Sequence, residues 1–335
     1  MHMPPLLAAD LRPLRLTWPR TAPTASHPSQ GLLDGLLLHA VFQPLADLRS
    51  GTVYGHEALI RGPVGGPLHM PDALFARAAI ESRLTEFELR CLDVILAQWS
   101  AAKQPGTLFV NLSADALVRA AGNVLPRMLA TAGMDPRRLV IELTEHDRAT
   151  DPGMLVRTVR ALSATGLRLA LDDFGDGHSS LRRWAELKPQ FVKLDKCFTR
   201  NVAGNMENFE MVRAVVAMSE TFSTALVAEG IESADDLRTL RDLGVVFGQG
   251  YFLGRPAPTA AALLQEAALD VLKDRRAVAV PAMNRSARPS ILRSLPLLKA
   301  PAVSPDTTNE EVATLFRAQP ELHALAVVDQ GRPIA

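Results

Sequence analysis

The sequence predicts an α/β fold of the TIM-type (β/α)8 barrel class, with one antiparallel strand near the N-terminus and the start of a small αβ module behind it. Three observations predict this. Short apolar runs alternate with amphipathic segments along residues 31–272, and right-handed crossovers between parallel strands leave a closed barrel or an open doubly wound sheet. Glu57, Asn111, Glu142, Asp172, Lys193, Glu229 and Gln249 each stand at or near the end of a different apolar run. An open sheet gathers its ligand residues at one switch point, whereas a barrel brings the C-terminal ends of all its strands to one mouth, so the barrel is preferred. Finally, the first two runs are joined only by a turn at residues 49–52, which makes them a hairpin and sets one of them against the rest.

Taken in order, residues 1–30 are rich in Pro, Ser and Thr without hydrophobic periodicity and predict a flexible leader. Within the hairpin, Glu57 lies in the second strand, where an unpaired carboxylate would be costly. Pro71 and Asp72 open one helix, and residues 85–99 form a second whose Leu89, Leu92, Ile95 and Leu96 supply an apolar face. TLFVNLS is a strand ending in Asn111; a helix over 124–132 then leads through Asp135 and Pro136 into RLVIELTE, a strand ending in Glu142. A helix over 152–164 precedes the run in which Leu167, Leu169 and Leu171 alternate with Arg168 and Ala170 and which ends in Asp172 and Asp173. The pattern continues with a helix over 179–187, the strand FVKLD carrying Lys193, a helix over 206–222, the strand ALVAEG bringing Glu229, a helix over 234–243, VVFGQGY bringing Gln249, and a helix over 259–272. A basic, Pro-containing linker covers 273–294. In residues 295–335, Asp306 or Thr307 starts a helix with Glu310 in capping-box reach, followed by the strand ALAVVD and a turn at Gln330 and Gly331.

Composition narrows the function classes. Lys plus Arg and Asp plus Glu number 36 each in 335 residues, which argues against a general binder of nucleic-acid polymers or membrane surfaces. Cys91 and Cys197 form no C-x-x-C pair, fitting a reducing compartment and giving no zinc signature. LLAA is too short for a signal peptide, and no apolar run approaches the roughly 18 residues that span a bilayer, so a cytoplasmic protein is expected.

Adjacent carboxylates repel when both ionise, so Asp172 beside Asp173 at the edge of a core makes sense chiefly if a divalent cation neutralises them; the plain alternative is a turn capping the helix at Ser179 or Ser180. With Glu57, Glu142, Glu229 and the neutral donor Asn111, the set is all oxygen and points to Mg²⁺ or Mn²⁺ rather than zinc or copper. That many acids suffice for two ions, an arrangement suited to phosphoester hydrolysis, with Lys193 placed to orient water or hold a phosphoryl oxygen. The triplet Asp173, Phe174, Gly175 lacks the upstream loops of a kinase, and Gly175 with Gly177 is too short for a dinucleotide fingerprint.

The motifs GHEALIR (55–61), FVNLS, IELTE, LALDDFG, FVKLD, VAEGIES and GQGYFLGRP, in this order over about 32–272, resemble those of the EAL family of cyclic di-GMP phosphodiesterases. The resemblance implies an EAL-type barrel that hydrolyses one phosphodiester of cyclic di-GMP to linear pGpG. It implies two Mg²⁺ or Mn²⁺ ions on Glu57, Asn111, Glu142, Asp172, Asp173 and Glu229, with Asp172 bridging, Lys193 at the catalytic water and Gln249 ordering water. It further implies substrate contacts at Gln43, Leu59, Arg61 and Asp195, loop-stabilising roles for Glu145 and Glu232, and a homodimer. Asp176, His178, Gly62 and Val246 depart from the family pattern, none of them at a ligand position. A catalytically inactive cyclic di-GMP receptor signalling to a protein partner is the alternative. Residues 295–335 resemble the first half of a CBS repeat, which implies a nucleotide site once completed and leads us to expect a longer signalling protein; the alternative is a tail with one hairpin.

Overall fold

The computed structural model describes residues 33, 35–144, 151–175, 180–274, 302–319, 325–329 and 332–333. Glu145, Asp176 and His178, the linker beyond Asp274 and the turn at Gln330 and Gly331 lie outside them. Two compact units are present, Met1–Ala282 and Met283–Ala335.

The first unit opens with the predicted hairpin, β1 (His39–Asp47) and β2 (Thr52–Arg61). Asp47 Oδ1 accepts from the backbone N–H of Arg49 at 2.9 Å and of Ser50 at 3.1 Å, a side-chain turn that reverses the chain. There follow α1 (Pro71–Ile80), α2 (Leu84–Ala101), β3 (Thr107–Asn111), α3 (Ala114–Ala120), α4 (Val124–Ala132), β4 (Leu139–Thr144), α5 (Pro152–Ser163), β5 (Arg168–Phe174), α6 (Ser180–Leu187) and β6 (Phe191–Leu194). The unit closes with α7 (Lys196–Thr199), α8 (Met206–Phe222), β7 (Ala225–Ala228), α9 (Ala234–Asp242), β8 (Phe247–Gly248) and α10 (Glu266–Lys273). The eight strands form a closed barrel in chain order. Strand β1 is antiparallel to both β2 and β8, and every other adjacent pair is parallel.

Side chains alternate across a strand, so residues two apart share the barrel interior. Leu45, Phe109, Val140, Ala170, Phe191, Val227 and Phe247 form one buried apolar layer there. Two residues nearer the mouth on the same strands, or just past their ends, stand Gln43, Asn111, Glu142, Asp172, Lys193, Glu229 and Gln249. The barrel is thus apolar at mid-height and polar at the mouth. At the opposite end Arg168 closes the floor: it donates to the Tyr54 hydroxyl, to Thr107 Oγ1 at 2.9 Å and to the Arg137 carbonyl at 2.8 Å, and its guanidinium lies 5.5 Å from the Phe191 ring centroid. The outer core lies between sheet and helices, where Leu92, Ile95, Leu96 and Trp99 of α2 join Leu108, Ile141, Leu169, Leu171, Val192 and Leu194.

The helix expected over 259–272 begins only at Glu266. The preceding backbone is committed to the hairpin: Phe42 and Ala257 exchange bonds of 2.7 and 3.1 Å, and the His56 ring bonds the Ala261 carbonyl at 2.9 Å. Helices α3 and α7 were not anticipated; both are short and rest on side-chain caps, Ser113 accepting from Ala116 N at 3.2 Å and Asp195 from Cys197 N at 2.7 Å.

The second unit contains β9 (Ala302–Val303), α11 (Asn309–Ala318), β10 (Ala326–Asp329) and β11 (Arg332–Pro333), in a sheet of order β11-β10-β9. Strands β9 and β10 are parallel, and β10 and β11 antiparallel. The cap of α11 falls on Thr308 rather than Asp306 or Thr307, and its box partner is Glu311 rather than Glu310. The Thr307 hydroxyl is already taken by Ser304 N at 3.0 Å, which leaves the next threonine to cap. Among the described residues no helix is long and apolar enough to cross a membrane.

Candidate active site at the barrel mouth

The mouth layer converges on Lys193, which is 1% exposed. Its Nζ lies 2.7 Å from Glu229 Oε1, 3.0 Å from Asp172 Oδ1, 3.1 Å from Glu142 Oε1 and 3.5 Å from Glu57 Oε2. Two amides knit the acids further. Asn111 Nδ2 donates to Glu57 Oε1 at 2.8 Å and Glu142 Oε2 at 3.2 Å. Gln249 Nε2 donates to Glu57 Oε2 at 2.7 Å and Gln43 Oε1 at 3.0 Å, and Gln43 Nε2 donates to the Gly254 carbonyl at 3.2 Å.

One ammonium cannot satisfy four carboxylates. Glu142 Oε1 and Asp172 Oδ1 are buried without a hydrogen bond; their contacts with Lys193 are ionic, close enough for attraction but poorly directed. Burial drives the Glu142 carboxyl well above its usual range, Lys193 opposing this only in part while Glu57, Asp172 and Glu229 repel. Burial likewise raises Glu229 to about 8, with Lys193 opposing and Asp172 and Glu57 adding to the rise. Glu57 is the exception: burial pushes it upward, but Lys193, Gln249 and Asn111 outweigh this and lower it. Lys193 is itself held well above its ordinary value, since the attraction of Asp172, Glu142, Glu229 and Glu57 exceeds the burial cost of its charge.

The adjacent aspartates break the strand's alternation. A regular strand would turn Asp173 away from Asp172. Instead the β5–β6 register shifts between Leu171 and Phe174, and Asp173 adopts φ +54°, a left-handed conformation that Asp tolerates better than most residues. Oxygens of Asp172, Asp173 and Glu229 consequently lie within 4.8 Å of one another. Gly175 completes the kink at φ +109°, where a Cβ would fall 2.1 Å from the Phe198 ring. An all-oxygen cluster with excess negative charge and orphaned carboxylate oxygens fits a hard divalent cation. Glu57, Glu142, Asp172, Asp173 and Glu229 could hold it, and Asn111 could offer its Oδ1 from the same place.

The remaining predicted residues are more scattered. Arg61, at the end of β2, is half-buried and donates from Nη1 to the Ile60 carbonyl at 2.8 Å; burial lowers its pKa despite the opposing pull of Tyr251, Glu57 and Asp72. Leu59 is half-buried two residues before it. Asp195 caps α7, and Glu232 pairs with Arg200 at 2.5 Å on the surface. Sequence reasoning missed the Thr199 hydroxyl, which donates to the Glu229 carbonyl, because Thr199 sits on an unanticipated one-turn helix. It also missed the stacking of Arg255 on Tyr251, 4.3 Å from the ring centroid, for which the i,i+4 spacing in GQGYFLGRP was the available signal.

The raised carboxyls make cation binding a proton-displacing event. Mn²⁺ affinity is expected to rise by up to about tenfold per pH unit for each proton displaced, the share due to Glu229 levelling off above about 8; calorimetry in buffers of different ionisation enthalpy measures both quantities. The sign for stability follows from the same shift. Glu229 keeps in the native state a proton that the unfolded chain releases near 4.5, so its contribution is fully present below 4.5 and is lost as pH rises through about 8. Affinity independent of pH between 6 and 8 would contradict this account.

The EAL domain family model matches residues 30–256. An uncharacterised signalling protein of Caulobacter vibrioides is 35% identical over 240 residues, 69% of this chain and 29% of that protein. A cyclic di-GMP phosphodiesterase of Pseudomonas aeruginosa is 32% identical over 225 residues, 65% of this chain and 38% of that protein. The chain therefore spans about a third of the length of these curated relatives. Among solved structures, the calcium and cyclic di-GMP complex of Klebsiella pneumoniae BlrP1 is 28% identical with a TM-score of 0.62, covering 68% of this chain and 57% of that one. The manganese and cyclic di-GMP complex of BlrP1 is also 28% identical, with a TM-score of 0.61, covering 67% of this chain and 57% of that one.

Proposed function

The chain belongs to the EAL domain family, and from that premise we propose that it hydrolyses cyclic di-GMP to linear pGpG with two divalent ions, Mg²⁺ or Mn²⁺. In this reading Glu57, Asn111, Glu142, Asp172, Asp173 and Glu229 are the ligands. The observation that carries it is the convergence on Lys193 of four carboxylates from in or just beyond four strands, with buried oxygens left unsatisfied. The calcium and manganese complexes of the related BlrP1 with cyclic di-GMP support it.

When bound, the ions would supply Lewis-acid activation of water and charge compensation at the phosphodiester. The chain's own groups do the rest. Lys193 holds the acids together and places a positive charge where the attacking water is oriented. Gln249, bridging Gln43 and Glu57, fixes the polar side on which that water sits. Arg61 offers paired N–H donors to a phosphate, and Leu59, Gln43 and Asp195 border the substrate. Water oxygen bonds to phosphorus as the bond to the ribose 3′-oxygen breaks, and the ring opens to a 5′-phosphate and a 3′-hydroxyl. We extend the proposal to a cytoplasmic homodimer, to loop-stabilising roles for Glu145 and Glu232, and to a CBS-like nucleotide site in the second unit, supported by its parallel β9–α11–β10 arrangement. Sedimentation and nucleotide titration test these extensions.

The decisive experiment incubates the protein with cyclic di-GMP and either ion and separates the products. Appearance of pGpG is expected; tight binding without turnover with either ion would make the protein a receptor instead. Arg61→Ala is expected to raise KM about tenfold or more while kcat changes little, the pattern of lost uniform binding. A fall in kcat at unchanged KM would remove Arg61 from the phosphate.

A further inference from the structure

Glu229 lies just past the end of β7, and its backbone is held by the last residue of β6 and by the turn that follows it. Its backbone N–H donates to the Leu194 carbonyl at 3.1 Å, and its own carbonyl accepts from the Thr199 hydroxyl. Thr199 is fully buried, at 0% exposure. The next residue, Gly230, has φ +64°, and a Cβ there would sit 2.6 Å from Lys196 Cβ. Thus the single turn of α7 presses against the 229–230 peptide at both of its ends, with a hydroxyl at one residue and an aliphatic stem at the other. Two more links run in the same order along the two loops. Arg200 pairs with Glu232 at 2.5 Å, and buried Asp236 accepts from Asn201 N at 3.2 Å and Ala203 N at 3.1 Å.

We propose that Thr199 is a positioning residue for the mouth, setting the direction of the Glu229 carboxylate through its hydrogen bond to the Glu229 carbonyl. The inference rests on the reading of Glu229 as a metal ligand. Its logic is geometric. Asp172 and Asp173 sit on the β5 strand, whereas Glu229 lies past the end of β7, where its N–H is held by Leu194 and its carbonyl by Thr199 rather than by a strand. The cluster within 4.8 Å therefore depends on what fixes that peptide. The exposed Arg200–Glu232 pair adds little in water. The buried hydroxyl bond is the link whose loss leaves a carbonyl unsatisfied.

Thr199→Val removes the hydroxyl at nearly constant volume, and Thr199→Ser restores it. In the full chain, Mn²⁺ binding by calorimetry is expected to weaken more than about tenfold in Thr199→Val, the range seen when outer-shell partners of a metal ligand are removed. Thr199→Ser should stay within twofold of wild type. With cyclic di-GMP, kcat should fall in the valine variant while KM holds, and near-UV circular dichroism should be unchanged. Equal Mn²⁺ affinity in wild type and Thr199→Val overturns the inference and leaves the metal reading standing. Absence of Mn²⁺ binding in wild type overturns both. If Thr199→Val does not fold, Thr199→Ala replaces it, and failure of both to fold makes the hydroxyl purely structural and overturns the inference.

Discussion

Asp172→Ala is expected to abolish turnover of cyclic di-GMP and to lower divalent-ion affinity by more than the ~10–100-fold loss that follows removal of an outer-shell partner. Asp172 touches Lys193 and lies in the three-acid cluster with Asp173 and Glu229, so no neighbouring oxygen can take its place without moving the β5 kink. The same substitution should not destabilise the metal-free protein. It removes one of four carboxylates facing a single ammonium, and with it part of the repulsion that raises Glu142 and Glu229. The predicted signature is an unchanged or higher melting temperature without metal, together with loss of the further rise that Mn²⁺ gives wild type. Full activity in Asp172→Ala, or an undiminished Mn²⁺-induced shift, would show that the cluster is not the ion site.

Lys193→Met should have the largest effect on stability. The ammonium lies within 3.5 Å of oxygens from four acids, and removing it leaves their charge buried and uncompensated, at a cost on the order of 3–5 kcal/mol as for a broken buried ion pair. Two conditions should recover part of this loss. Lowering the pH protonates the acids, and adding Mn²⁺ substitutes one positive charge for another. Thermal melts at pH 6 and pH 8, with and without Mn²⁺, are expected to show the variant weakest at pH 8 without metal. Catalysis should remain lost even where the fold is recovered, because the ion cannot orient water from the position of Nζ. A variant as stable as wild type at pH 8 would mean that the buried acid charge at the mouth does not depend on Lys193 for its compensation.

Much of the fold was legible because it follows from local pattern. The hairpin, the barrel strands that end in polar groups and long helices such as α8 each leave a period of 2 or 3.6 residues in the sequence. Short elements left no such trace. Helix α7 has four residues, about one turn and too few to repeat a pattern, and it exists because the surrounding barrel supplies partners; β8, only two residues long, was marked by the run VVFGQGY rather than by alternation. The late start of α10 has the same origin, since the pairing of Ala257 with Phe42 joins residues far apart in the chain.

By itself the sequence determined which side chains could reach the mouth: acids, two amides and one lysine at strand ends, in an order that resembles one family, with oxygen as the only ligand atom. Only the tertiary structure decided what these groups do to one another. Charge coupling depends on distance, and Lys193 meets Glu57 across 136 positions of chain. The mutual placement of Asp172 and Asp173 depends on a left-handed residue and a register shift that break strand alternation. Glu229 depends on a buried threonine supplied by the neighbouring loop. Periodicity encodes which face of a strand a residue takes, but the raised carboxyls and the three-acid cluster come from closure of the barrel, which no local pattern contains.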